Sequence, residues 1–320
     1  MKALAHTRYG SYDALELREA PVPEIADDQV LVRVRASSLN PVEWYRVTGP
    51  VFARVPNGLR RPKTPGIGAD LAGTVEAVGA DVRAFRPGDE VFGTSGASWA
   101  EYAPAREIRL ARKPPNVSFE EAAAVPIAAL TALQALRDHG DVQRGQRVLV
   151  NGASGGVGTY TVQLAKHFGA DVTAVCSTRN LDLVASLGAD RVVDYRKEDF
   201  TRIGMRHDLL LDIAGSRGLG ALSRVLTPEA KVVVVGGKMN RGLGPLPHIG
   251  SMVLSSRLRR RPLAFFVAKI EQADLEVLAG LLERGELRSV IDRTYPLEQA
   301  AEALRYLGEE HARAKVVLTV

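Results

Sequence analysis

Cysteine is almost missing from this chain: Cys176 is the only one in 320 residues. One thiol cannot close a disulfide, and it cannot build a thiolate-rich zinc site. No run of about 18 uncharged apolar residues occurs, so the sequence offers no membrane span. The opening "MKALAHTRYG" also lacks the apolar core of a signal peptide, and the expectation is a cytoplasmic protein. Aromatic residues make up only 6%. None is interleaved with the basic clusters "GLRRPK" (58–63) and "RLRRR" (257–261), so nucleic acid is not an expected partner. The net charge of +5 is modest for this length, and the two clusters read as solvated faces or anion-attracting rims. No internal repeat is evident.

What remains is an ordinary globular composition, 46% hydrophobic and 25% charged, over a length that favours two domains. The first third is rich in strands and turns. "QVLVRVRASSLN" (29–40) alternates apolar and polar residues, and "DLAGTVEAVGADV" and "FRPGDEVFGT" are short β-prone runs between Gly, Pro and Asp turns. "SFEEAAAVPIAALTALQAL" then reads as helix, with Ser118 and Glu121 placed as a capping box. Strict alternation follows. "RVLVNG", "DVTAVC", "RVVDY", "DLLLDIAG" and "KVVVVGG" are apolar strands, with helices over 156–168, "NLDLVASLG" and "LGALSRVL" between them. Such a pattern predicts a parallel sheet covered on both faces. After a helix around 272–284, the closing "KVVLTV" is expected to rejoin the first domain, which makes that domain discontinuous.

The chemistry concentrates at "NGASGGVG" (151–158), between the first of these strands and its helix. A bare loop there is the phosphate-binding geometry of dinucleotide folds: the helix N-terminus offers free N–H groups to a pyrophosphate. Gly155 permits close approach and Gly158 lets the helix pack tightly. Ala153, Ser154, Gly155, Gly156, Val157 and Gly158 are therefore the expected phosphate cradle. The end of the next strand selects the dinucleotide. Where NAD binders usually carry an acidic residue, this chain has Cys176, Ser177, Thr178 and Arg179. With no carboxylate to repel a 2′-phosphate, and two hydroxyls and a guanidinium to bind it, NADPH is the expected cofactor.

Taken along its whole length, the chain resembles the medium-chain dehydrogenase/reductase superfamily, in its zinc-independent quinone oxidoreductase branch. The resemblance is carried by "LNPVEW", "GIGADLAGTVEAVG", "RPGDEVFG", "AAAVPIAALTALQAL", "NGASGGVGTYTVQLAK", "LGADRVVDY" and "ARAKVVLTV". It implies an α/β protein: a discontinuous GroES-like β-barrel-type domain (1–122 and 262–320) and a Rossmann doubly wound parallel-sheet domain (123–261). The active site would lie in the cleft between them. In zinc-dependent members a Cys, a His and a second Cys hold the metal. The matching slots here are Asn40, Ala69 and Ile127, none of which suits zinc.

Without that Lewis acid, hydride transfer to a quinone or an α,β-unsaturated carbonyl is the expected reaction, because the charge delocalises onto an oxygen that a hydrogen-bond donor can meet. The resemblance places Asn40 and Tyr45 as the catalytic pair, with Glu43 in the slot of a family Asp. The family arginine two positions after the tyrosine is Val47 here, while Arg46 stands one position earlier. Asp70 stands where the zinc-dependent members carry a Glu behind the metal ligands, and it reads as structural. For the cofactor the resemblance adds Thr131, Tyr195 and Gly236. Cys176 reads as a small buried residue. The six histidines show no ligand spacing, with His311 and Arg313 near the cleft rim. Segments 47–63 and 240–262 read as long loops able to act as lids.

Relatives often pair Rossmann sheets edge to edge, and "KVVVVGG" with its flanks would serve such a homodimer. Two rival functions stay open: an enoyl-thioester-type reductase drawing an anionic carrier to the Arg-rich rims, and a non-catalytic NADPH-binding sensor or scaffold.

Overall fold

The computed structural model describes residues 1–237, 239, 242–310 and 312–320. His311, and the first two residues of the 240–262 segment, lie outside the described residues. The chain divides into two compact units, Met1–Leu130 with Ile270–Val320, and Thr131–Lys269.

The first unit opens with an antiparallel hairpin of β1 (Lys2–His6) and β2 (Leu15–Glu19). β3 (Gln29–Ser38) buries Val30, Val32 and Val34, the period of two that the sequence carries. Two short helices follow, α1 (Pro41–Thr48) and α2 (Val51–Asn57), so segment 47–63 is largely helix rather than loop. Gly49 at φ +63 and Gly58 at φ +114 end them in backbone regions that L side chains avoid. β4 (Asp70–Val78), β5 (Glu90–Thr94), β6 (Tyr102–Arg106) and β7 (Leu110–Arg112) complete this stretch of sheet.

The helical run after Ser118 is split. α3 (Phe119–Ala123) carries the capping box, with Glu121 N–H donating to Ser118 Oγ at 3.1 Å and Ser118 N–H to Glu121 Oε2 at 2.9 Å. α4 (Pro126–Gln134) starts afresh at a proline, which lacks the N–H to continue a helix but suits a first turn.

The second unit is a six-stranded parallel sheet. Its strands are β8 (Arg147–Asn151), β9 (Asp171–Cys176), β10 (Arg191–Asp194), β11 (His207–Asp212), β12 (Leu226–Val234) and β13 (Leu263–Phe265). The spatial order is β10-β9-β8-β11-β12-β13, so strand order reverses between β8 and β11. α5 (Gly156–His167), α6 (Leu181–Ser186), α7 (Leu219–Leu222) and α8 (Leu246–Arg259) connect the strands. Leu149, Val175, Val193, Leu210, Val232 and Val234 form one core with Leu219, Leu222 and Met252 of α7 and α8.

Three expectations change here. The described part of 240–262 is mostly α8, begun by Leu246 and Pro247 and closed by Arg260 at φ +49. "KVVVVGG" is no edge: β12 is bonded on both sides, and β13 is the outer strand. Because β13 hydrogen-bonds to β12, residues 262–269 go with the parallel sheet, and the units divide after Leu130 and Lys269 instead of at 122/123 and 261/262.

The chain then returns to the first unit through α9 (Gln272–Glu283), β14 (Ile291–Pro296), α10 (Ala300–Glu309) and β15 (Lys315–Thr319). β15 lies antiparallel to β3 and parallel to β14, completing a seven-stranded sheet. Among the described residues no helix is long and apolar enough to cross a membrane.

Candidate functional site

Two constellations matter, one in each unit. In the parallel-sheet unit, β8 ends at Asn151 and the chain turns through Gly152 at φ +99 into α5, whose N-cap is Gly155. A Cβ built on Gly158 would lie 2.1 Å from the Gly152 carbonyl oxygen and 2.7 Å from Ala153 C, so that glycine serves the packing of helix on loop. Gly155 is different. A Cβ there would meet nothing closer than Gly152 O at 3.6 Å, and its φ of −83° suits any residue. The fold has room for a side chain at Gly155 and leaves it bare beside the free N–H groups of a helix start. A bare helix start of this kind has room for an anionic group.

Parallel pairing brings the next expected residues to the same rim, because Asp194 of β10 is in register with Cys176 of β9. Ser177 and Thr178 thus sit beside Tyr195, which is 49% exposed. Asn180, which the sequence reading passed over, joins this rim to the loop. Its Nδ2 donates to Ser154 Oγ at 2.8 Å and to Ser177 Oγ at 3.2 Å. Its Oδ1 is buried without a protein partner, an acceptor left for something else to satisfy.

One expectation is corrected at this rim. A carboxylate does stand there: Thr178 Oγ1 donates to Asp194 Oδ2 at 2.6 Å, and that bond, helped by Lys197 and Arg196, holds the Asp194 carboxyl below its usual range. Thr178 has therefore spent its proton. Exposed Arg179, with Arg196 and Lys197 beyond Tyr195, supplies the positive charge. Gly236 follows β12, where a Cβ would come 2.9 Å from Ile213 O, so backbone crowding explains its lack of a side chain. Thr131 lies on α4, half-buried. Cys176 is buried, and burial pushes its thiol up to about 11, as an inert packing residue.

The first unit holds a buried polar network that no local motif announced. Asp70, at the start of β4, is fully buried. Its Oδ2 accepts from Ser38 Oγ at 2.7 Å and Asn40 Nδ2 at 2.9 Å, and its Oδ1 accepts from Ile127 N–H at 3.0 Å. Lys315, the first residue of β15, brings in a buried ammonium. It donates to Asn40 Oδ1 at 2.7 Å and Leu39 O at 3.1 Å, and stands 3.4 Å from Asp70 Oδ2. All three ammonium hydrogens have acceptors. Asn40, Ala69 and Ile127 are brought together around this pair. The carboxamide of Asn40 is hydrogen-bonded at both ends, and Ala69 and Ile127 offer no side-chain lone pair.

Glu43, buried in α1, accepts the Asn40 backbone N–H at 2.8 Å. Burial first, and then the Asp70 charge, push its carboxyl up to about 7. Tyr45 stacks edge-on against Trp44 and Phe52, with ring centroids at 5.3 and 5.0 Å. Burial raises its hydroxyl to about 12, which keeps it a neutral donor. Arg46 donates to Gly66 O at 2.8 Å and pins α1 to the 64–66 segment. The signal for Lys315 was present, a lone cation heading an apolar strand, but its partners lie 275 and 245 residues away.

A GroES-like strand unit interrupted by a doubly wound parallel sheet with a glycine cradle is the architecture of a nicotinamide-dinucleotide dehydrogenase. Family models agree with it. Residues 26–133 match the alcohol dehydrogenase GroES-like domain, and residues 187–318 match the zinc-binding dehydrogenase model. A chloroplastic quinone-oxidoreductase of Triphysaria versicolor is 34% identical, across 99% of this chain and 98% of that protein. A 2-methylene-furan-3-one reductase of Solanum lycopersicum is 38% identical, across 99% of this chain and 79% of that protein. The solved quinone oxidoreductase of Coxiella burnetii superposes with a TM-score of 0.87 at 30% identity, covering 100% of this chain and 99% of that one. The chain belongs to the medium-chain dehydrogenase/reductase superfamily, in its quinone oxidoreductase-like branch.

Proposed function

We propose that this protein is a zinc-independent, NADPH-dependent reductase of quinones or α,β-unsaturated carbonyl compounds. The observation that carries the reading is the Asn40–Asp70–Lys315 network. The three slots that would hold a catalytic zinc contain a carboxamide whose oxygen is taken by Lys315 and two alkyl side chains, and this donor set does not fit the metal. A simple ketone or alcohol would need such a Lewis acid. A conjugated acceptor does not, and relatives named for quinones, for 2-methylene-furan-3-one and for alkenals and alkenones support that class.

The dinucleotide supplies the hydride when bound. Residues 153–158 would hold its diphosphate, while Arg179, Ser177 and Tyr195, with Arg196 and Lys197 beyond, favour the 2′-phosphate of NADPH. Tyr45 and the remaining Nδ2 hydrogen of Asn40 are the donors assigned to the acceptor oxygen, where negative charge develops. Asp70 and Lys315 fix the orientation of the carboxamide, whose nitrogen keeps one hydrogen to give. A cytoplasmic location and a homodimer belong to the same reading, with the open edge of β13 as the pairing strand.

The test is NADPH oxidation by chelator-treated protein with quinones, alkenals and alkenones. Turnover on at least one class, unchanged by chelation, is expected. Asn40→Ala should keep NADPH affinity and lose about a hundredfold in rate. Absence of turnover on every acceptor, or activity abolished by chelation and restored by zinc, overturns the reading.

A further inference from the structure

Asp212 closes β11 and Asn151 closes β8, and they are in register across the strand pair where the sheet order reverses. Ligands of open α/β sheets bind outside the strand ends at such a reversal. Asp212 is fully buried, yet its carboxylate is completely engaged. Oδ1 accepts from Asn151 Nδ2 at 2.7 Å and from Gly215 N–H at 3.2 Å, and Oδ2 is 2.8 Å from His248 Nε2.

His248 stands in the first turn of α8, with its side chain 15% exposed. Since a carboxylate only accepts, Nε2 carries a proton, and in the neutral ring Nδ1 turns its lone pair to the opposite side. Nδ1 has no hydrogen-bond partner among the described residues. The ring is also fixed by packing. A Cβ at Gly215, φ +59, would come 3.1 Å from His248 Cδ2 and 2.7 Å from Gly237 Cα, and one at Gly237 would be 3.0 Å from Pro245 Cβ. An oriented acceptor with an assigned tautomer therefore stands at the mouth of the crevice.

The side of the crevice identifies its ligand. The rim assigned to the adenosine 2′-phosphate lies after β9 and β10, and the phosphate cradle follows β8. An extended dinucleotide continuing in that direction reaches β11 and β12 with its nicotinamide–riboside half. We infer that His248 is a cofactor-binding residue whose Nδ1 accepts a hydrogen bond from that half, from a ribose hydroxyl or the carboxamide N–H. Asp212 is its positioning residue. This rests on the parallel-sheet unit being the NADPH-binding unit.

Calorimetric titration with three ligands tests it. Adenosine 2′,5′-bisphosphate lacks the whole nicotinamide–riboside half, 2′-phospho-ADP-ribose restores the ribose, and NADPH restores the ring. His248→Ala should weaken NADPH about three- to tenfold, the worth of one net hydrogen bond, and leave the bisphosphate unchanged. Loss already seen with 2′-phospho-ADP-ribose makes the donor a ribose hydroxyl, and loss confined to NADPH makes it the carboxamide. Asp212→Asn, near-isosteric, should show the same split and serves if His248→Ala does not fold. Unchanged NADPH affinity, or equal loss for the bisphosphate, overturns the inference. A wild-type protein that binds none of the three overturns the reading of the parallel-sheet unit and this role with it.

Discussion

Lys315→Met isolates the buried ammonium, because methionine keeps most of the length of the side chain and removes its charge and donors. The wild-type Nζ serves Asn40 Oδ1, Leu39 O and Asp70 Oδ2. The variant leaves two acceptors unpaired and a carboxylate buried without its counter-charge. Removing one partner of a buried ion pair costs roughly 3–5 kcal/mol. Both tryptophans, Trp44 and Trp99, lie in the first unit and are buried, so their fluorescence follows its unfolding alone. Urea denaturation read in this way should show that loss. The double variant Asp70→Asn/Lys315→Met should recover a large part of it, since neither charge of the pair is then left buried alone. A Lys315→Met protein within about 1 kcal/mol of wild type, or a double variant whose loss equals the sum of the singles, would refute the ion-pair account.

Gly155→Val should leave the melting temperature nearly unchanged, because the fold has space there, yet reduce NADPH affinity at least about a hundredfold through loss of two charge-assisted bonds; retained affinity removes the loop from the site. Glu43→Gln should abolish a pH dependence of stability. The Glu43 carboxyl is raised to about 7 in the fold, so its contribution is complete below about 4.5 and falls away as pH rises toward 7, by at most about 3 kcal/mol. Denaturation series from pH 5 to 8 should slope downward for wild type and less for the variant, and parallel slopes would show that Glu43 does not titrate in this window. Arg179→Ala should weaken NADPH about ten- to a hundredfold and NADH hardly at all; equal losses in paired titrations would make Arg179 structural.

Features written locally were legible from sequence. The glycine loop, the Ser118–Glu121 box and the alternating strands each depend on residues within one or two turns of each other. What β-sheet register assembles was not. Asp194 meets Thr178 only because β10 lies in register beside β9, and His248 meets Asp212 across 36 residues of intervening chain. Segment 240–262 misled because Gly242, Gly244, Pro245 and Pro247 read as loop, while a proline within the first two helical positions is also how a helix begins. Lys315 was not legible as a partner, because Asn40 and Asp70 lie 275 and 245 residues before it in the chain.

β15 also sets an order of events during synthesis. Its lysine completes the surroundings of Asn40, and its backbone pairs with β3 of the same sheet. A nascent chain that has extruded residues 1–130 therefore carries an unpaired β3 flank and an uncompensated Asp70 until residues 131–314 have followed. The parallel-sheet unit, contiguous in sequence, can fold first. A ribosome paused before Lys315 would thus present a finished parallel-sheet unit tethered to an open sheet edge, a template for pairing with another chain.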